Sequence, residues 1–302
     1  NSLRLSRLYP LAFMTSAFFY LGLLILIAVT ALWLTRLVRY PSVISADYWN
    51  LARLSFVPVL PLSVIVALTV DIASGNSLLP LPDYVYYLVY YVSYVAVFVM
   101  AVALGVRLMF HEVEPNSLTY AVLIPPVTVT ATSFLGVYLH EYLLSALSVG
   151  VGLMLLVFLG SVSVTFHVRE SKTPARLTSP VLLTGVSSVI ALTILGVSGG
   201  GMLPESTAYF VALVLVGFET WNFFVSISLV ALGFPRVRRE PLLLWALTFP
   251  VSTYSSASFE LFLEYRDAVL LTISVLAYST LLLMWALASA LTLKGLIVEQ
   301  PH

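Results

Sequence analysis

Apolar residues run almost unbroken through nine stretches of the chain, roughly 11–35, 54–73, 84–108, 118–139, 142–166, 177–197, 207–232, 241–259 and 268–293. The segments between them carry proline, glycine, asparagine or charge, as in "YPSVISADYWN", "SGNSLLPLPD", "HEVEPNS", "RESKTPAR", "SGGGMLPES" and "FPRVRREP". These are the residues that punctuate helices. A run of ~20 apolar residues is what a helix needs to cross a bilayer, whereas a barrel strand needs only about 10 with alternating polarity. The pattern therefore predicts nine membrane-spanning helices. No linker is long or polar enough to divide them, so residues 1–302 are expected to form one transmembrane domain of an all-α integral membrane protein.

Two kinds of helix alternate within this series. The stretches at 11–35, 84–108, 142–166, 207–232 and 268–293 are long and almost free of proline. The others carry helix breakers: Pro58 and Pro61, Pro125 and Pro126, Pro180 with Gly185, and Pro250. Hydroxyls follow the same alternation. Phe249, Ser252, Thr253 and Ser256 fall at i, i+3, i+4 and i+7, one stripe of a helix. Thr184, Ser187, Ser188 and Ala191 repeat that spacing, Thr128 and Thr132 form a shorter stripe, and Ser55 and Ser63 bracket the first two prolines. A proline inside a membrane helix frees a backbone carbonyl that protein or a wet cavity must satisfy. Small and hydroxyl residues also serve ordinary helix packing, but four such helices in strict alternation point further. They predict an inner ring of kinked, hydroxyl-lined helices around a central path, with plain helices outside. Pro250 is expected to interrupt its helix where Phe249 projects into that path.

Composition agrees with the hydropathy pattern. Of 302 residues, 60% are hydrophobic and 9% charged, against about 25% charged in soluble domains. Net charge is zero and no basic tail is present, so a nucleic-acid partner has no electrostatic footprint. Cysteine is absent, which removes disulfides, thiolate metal sites and cysteine nucleophiles. Arg36, Arg39, Arg53, Arg107, Arg169, Lys172, Arg176, Arg236, Arg238, Arg239 and Lys294 fall in one set of loops, and only Arg4, Arg7 and Arg266 in the other. Basic loops stay cytoplasmic, so the C-terminus is expected inside. Nine spans then leave Asn1 outside, and a further helix before it would bring the start of the chain back in. Ten helices are the expectation for the full fold.

The order of these segments resembles the tellurite-resistance/dicarboxylate transporter family of TehA-like proteins, which includes the plant guard-cell slow anion channels. The closest stretch is "LWALTFPVSTYSSASFELF" with the following helix and "ALTLKGL"; it is similar to the family's ninth and tenth helices. "LVRYPSVISADYWNLARLSFVPVLPLSVIVALTVDI" resembles the second and third, and "PNSLTYAVLIPPVTVTATSFLG" the start of the fifth. Nearly the whole chain is covered, with the first family helix largely absent. The resemblance implies five helical hairpins whose inner members form a pore, a homotrimer with one pore per subunit, and a phenylalanine gate at Phe249. It implies a channel for small anions such as chloride and nitrate in the plasma (inner) membrane. The alternative is a secondary exporter of C4-dicarboxylates, sulfite or tellurite, with proton coupling as an option.

The residues themselves add a few expectations. The inferred path has no Lys or Arg, so hydroxyls and helix dipoles must do the lining, and such a site holds an anion weakly enough to release it. Phe249 next to Pro250 suits an apolar plug. Glu219 is the one acid deep in a span, a position that is a functional hypothesis by default; proton coupling and a subunit interface are its two readings. Asp71 reads as a capping acid at the outer end of its helix, and His140 with Glu141 lacks a third metal ligand nearby. "GVSG" at 196–199 has the look of an intramembrane serine protease motif but lacks a histidine base on the later helices. An enzyme, a cofactor and a metal site are therefore not expected.

Overall fold

The computed structural model describes residues 9–75, 78–112, 118–169 and 173–298, with the backbone alone described for 9–15 and 296–298. Arg4, Arg7 and Lys172, with parts of the loop motifs around 76–77, 113–117 and 170–172, lie outside the described residues. Every regular element among the described residues is helical. Helix α1 spans Tyr9–Arg39, and short helices α2 (Ser42–Trp49) and α3 (Leu51–Phe56) lead into α4 (Val59–Ala73). The long α5 (Asp83–Phe110) follows. A 3-10 turn at Tyr120–Leu123 opens onto α6 (Ile124–Ala131) and α7 (Ser133–Tyr138), and α8 (Tyr142–Arg169) returns across the molecule. The next pair is α9 (Pro174–Thr178) with α10 (Val181–Gly199), then α11 (Glu205–Val237). The last is α12 (Leu242–Trp245) with α13 (Thr248–Tyr265), then α14 (Ala268–Val298).

Eight of the spans are long and apolar enough to cross a membrane. The ninth, α13, falls short by composition, because six serines and threonines together with Glu260 and Glu264 are among its 18 residues. It tolerates them by lying against protein: Val251, Thr253, Tyr254, Ser255, Ala257, Ser258 and Leu261 are all buried. Burial sets two of the broken spans apart from the plain helices. The most apolar windows of the spans at Tyr120–Tyr138 and Pro174–Gly199 are 89% and 72% buried, whereas those of α1, α5, α8, α11 and α14 are between 6% and 33%. Plain helices thus face outward, and broken ones are enclosed by them. The span at Leu51–Ala73 is broken but only 28% buried, so it is an inner helix with an open flank.

Consecutive spans pack as antiparallel hairpins: α4 with α5, α6 and α7 with α8, α10 with α11, and α13 with α14. The inner members also touch one another in the row α4, α6, α10, α13. Glycines let these backbones approach. A Cβ on Gly185 of α10 would sit 3.0–3.1 Å from the ring and Cα of Pro250 on α13. A side chain on Gly152 of α8 would overlap the hydroxyl of Thr130 on α6. The first and last helices meet where the Phe18 ring of α1 meets Trp285 of α14 edge-on at 5.7 Å.

Polar groups are concentrated at the ends. At the basic end, Asp47 receives Arg36 at 3.0 Å and Arg53 at 3.4 Å. At the other end, buried Asp71 accepts the backbone N–H groups of Leu78 and Leu79 at 3.0 and 2.8 Å and the hydroxyl of Tyr86. This carboxylate therefore ties the loop after α4 to the first turn of α5. His140, at φ 62°, and Arg266, at φ 54°, make the tight turns of two hairpins. His140 Nδ1 lies 2.8 Å from the Tyr142 hydroxyl, and Glu141 meets the Tyr91 hydroxyl. No group of three or more His, Cys, Asp or Glu residues able to hold a metal ion occurs among the described residues.

A candidate conduction path between the broken helices

Each inner span breaks after a short first piece, and the prolines mark the restart. Pro58 lies in the turn between α3 and α4, and Pro180 is the N-cap of α10. Pro61, Pro125, Pro126 and Pro250 lie in the first turns of α4, α6 and α13. The expectation for Pro250 is corrected here: α13 runs unbroken through it, and the interruption precedes it at Ala246 and Leu247. The reason is local, since a first-turn residue has no intrahelical partner for its N–H and proline loses nothing there.

The restarts share a pattern that the linear reading passed over. Pro61-Leu62-Ser63, Pro126-Val127-Thr128 and Pro250-Val251-Ser252 place a hydroxyl two residues after the proline, at the fifth residue of α4, α6 and α13 alike. Each hydroxyl donates back to the first turn: Ser63 to Val59 O at 2.8 Å, Thr128 to Pro125 O at 2.7 Å, Ser252 to Phe249 O at 2.7 Å. The fifth residue of α10 is Gly185, which rests on Pro250. Aligning the three Pro-x-Ser/Thr triplets is the signal by which sequence alone reveals the repeat.

Phe249 is half-buried, and its packing sets it apart from the rest of its helix. Leu247, Val251, Tyr254, Ala257 and Leu261 pack into the cluster shared with α10, α11 and α14. Phe249 alone of α13, among the described residues, joins the other large cluster. That cluster includes Leu62 and Val66 of α4, Val127 and Ala131 of α6, and Val186, Val189 and Ile190 of α10, together with Leu104 of α5 and Leu156 and Leu159 of α8. Phe249 thus packs with the cluster of the other three inner helices and their outer neighbours rather than with that of its own hairpin.

The predicted hydroxyl lining divides into three environments. Ser63 and Ser252 are half-buried and Ser256 is exposed, on the two end members of the inner row. Ser55, Thr128, Thr132 and Ser187 are fully enclosed and donate to Leu51 O, Pro125 O, Val129 O and Leu183 O at 2.7–3.0 Å. Thr253, 6% exposed, donates to Pro250 O. Thr184 and Ser188 face elsewhere. They continue the face of Leu177, Val181 and Ala191, which packs on α11 in the cluster that excludes Phe249. Ser188 lies beside Glu219 there. The Thr184–Ser188 part of the α10 stripe is therefore a helix-packing face and not part of the wall around Phe249.

Glu219 is also relocated. It is 0% exposed, turned inward between α10 and α13, so the subunit-interface reading gives way to a position within the protein. Lys and Arg are absent from α4, α6, α7, α10 and α13. Basic residues gather instead at the end where the inner spans begin. Arg176 is 2% exposed and donates to Phe166 O at 2.9 Å, and Arg107 stacks over Trp49 at 5.1 Å.

The sequence matches one family of known proteins. No curated protein matches the chain. The family model described as voltage-dependent anion channel matches residues 2–293, nearly the full length and every helix in the arrangement above. The chain belongs to the voltage-dependent anion channel family.

Proposed function

We propose that the protein is a channel that passes small monovalent anions, chloride and nitrate among them, along the inner helices, with Phe249 as its gate. Family membership supports anion transport across a membrane in general. The observation that carries the finer reading is the placement of Phe249, the one residue of α13 that packs with the cluster holding α4, α6 and α10 residues. An apolar ring at such a point blocks by bulk and by excluding water.

The chemistry of the wall favours conduction over tight binding. Without a fixed cation, an anion meets hydroxyls and backbone dipoles only, and these replace part of a hydration shell. Weakly hydrated anions then cross most readily. The family resemblance supports three copies side by side, each with its own path. The basic end faces the cytoplasm of a plasma membrane in this reading, where its charge also raises the local anion concentration.

Recording in planar bilayers with asymmetric chloride tests the proposal. A reversal potential that follows the chloride gradient and ignores potassium is the expected result, with nitrate at least as permeant as chloride. Electroneutral flux that collapses with the proton gradient would replace the channel with an exporter, and potassium permeating as well as chloride would remove the proposed wall chemistry.

A further inference from the structure

One polar group of the membrane interior has no part in the path described above. Glu219 sits midway along α11 with both carboxylate oxygens buried and without a hydrogen-bond partner. Ser188 of α10 is beside it but gives its proton to Thr184 O at 2.8 Å. Thr220, the next residue, donates to Val216 O at 2.7 Å and receives the Tyr254 hydroxyl of α13 at 2.8 Å. The Tyr254 ring leans on Phe223 with centroids 5.2 Å apart. Other hydroxyls nearby are buried and unpartnered. Leu177 against Gly233 and Ser188 beside Glu219 set the antiparallel register of α10 and α11, which brings Thr184 to the level of Ser226, and neither hydroxyl has a partner. Ser258, one turn beyond Tyr254 on the same face, is also unpartnered.

We propose that Glu219 is a proton-binding site in the seam between α10, α11 and the gate helix α13. A bare carboxylate shut into such a place without a cation or donor is prohibitively costly, whereas the carboxylic acid is neutral and needs only an acceptor. Serine and threonine oxygens that have given their protons to carbonyls are such acceptors. The groups facing Glu219 supply no countercharge. Helix α10 has no titratable residue. Tyr254 is the α13 group at this level, whereas Glu260, Glu264 and Tyr265 of α13 gather with Glu205 and Tyr209 toward one end of α11, and Arg236 lies toward the other. Arg176 of α9 is at the level of Gly233, about 21 Å along α11 at 1.5 Å per residue.

The site is coupled to the gate by position. Tyr254 is held at Thr220, Pro250 is pressed on Gly185, and Phe249 is next to Pro250. The protonated acid fits the packed seam. Loss of the proton to water leaves a carboxylate that the seam cannot house, so ionisation favours a state in which α13 has moved off and water has entered. Raising the pH therefore favours withdrawal of Phe249 from the wall.

The link to conduction rests on the channel reading; the proton site does not, and two readouts on the full chain in lipid vesicles separate them. Infrared spectra near neutral pH should show the C=O stretch of a protonated carboxyl that is missing in Glu219→Gln. Chloride flux should rise about tenfold between about pH 6 and about pH 9 in the wild type, a shift of the size a single ionisation can drive. It should stay low and flat in Glu219→Gln. Tyr254→Phe, which frees α13 from Thr220 and leaves the carboxyl in place, should move the rise to lower pH and so serves if Glu219→Gln fails to fold. A folded protein without the Glu219-dependent band overturns the proton site. Matching pH profiles in wild type and Glu219→Gln overturn the coupling, as does an unshifted profile in Tyr254→Phe. The band without flux in any variant overturns the channel reading and leaves the proton site standing.

Discussion

Replacing Phe249 by alanine separates a gate from a core residue, because the two roles predict opposite outcomes. A fully buried phenylalanine truncated to alanine costs about 3–5 kcal/mol. Phe249 is only half-buried and packs with the cluster that includes α4, α6 and α10 residues, so about half that cost, ~2 kcal/mol, is expected in stability. The effect on flux runs the other way. Each ~1.4 kcal/mol removed from the barrier raises the rate tenfold. If the ring contributes even that much by closing the wall, Phe249→Ala should conduct about ten times faster than the wild type. Phe249→Leu keeps apolar bulk without the planar ring and should fall between them. The assay is chloride flux in vesicles, with thermal unfolding measured on the same purified samples. Reduced stability with unchanged flux would make Phe249 a packing residue, and unchanged stability with unchanged flux would refute both roles.

Two packing predictions are independent of the gate. Gly152→Ala should cost stability because its Cβ meets the Thr130 hydroxyl. Thr130→Ala should recover most of the loss in the double variant, which unfolding temperatures of the four proteins would show. Asp71→Asn removes a charged acceptor of two backbone N–H groups and the Tyr86 hydroxyl. At about 1.5–3 kcal/mol for a hydrogen bond to a charged group, it should lower the unfolding temperature and expose the loop after α4 to protease, with chloride selectivity unchanged.

The spans and their alternation were legible in the sequence because lipid leaves few options. A segment that must satisfy its own backbone in hydrocarbon has to be an apolar helix, and one that carries six serines and threonines and two acids, as α13 does, has to be sheltered by others. What the linear pattern could not give was the neighbour of each face. Thr184, Ser187 and Ser188 share a spacing with Phe249, Ser252 and Thr253, yet Thr184 and Ser188 point at α11 and Ser187 does not. Periodicity defines a stripe on a helix and is silent about which partner it meets. Glu219 was legible as an anomaly for the same reason, and its direction was not. The prolines were legible as breakers, but proline is neutral in a first turn and disruptive beyond it, so their effect depends on where the helix starts.

That starting point explains why a wall rich in hydroxyls can serve an ion that must leave again. In the first turns that hold Pro61, Pro126 and Pro250, the hydroxyls of Ser63, Thr128 and Ser252 donate to backbone carbonyls of the same turn. Their protons are therefore already engaged, and in this arrangement the oxygen lone pairs, not the O–H groups, are free. An anion can recruit such a hydroxyl only by making it exchange one hydrogen bond for another, a swap with little net gain. Fixed arginines in the same place would pull anions in more strongly and hold them longer. The sequence keeps its arginines at one end of the helices and its hydroxyls along them. In the proposed channel, attraction would act at the mouth and weak solvation along the path, the combination that favours turnover over capture.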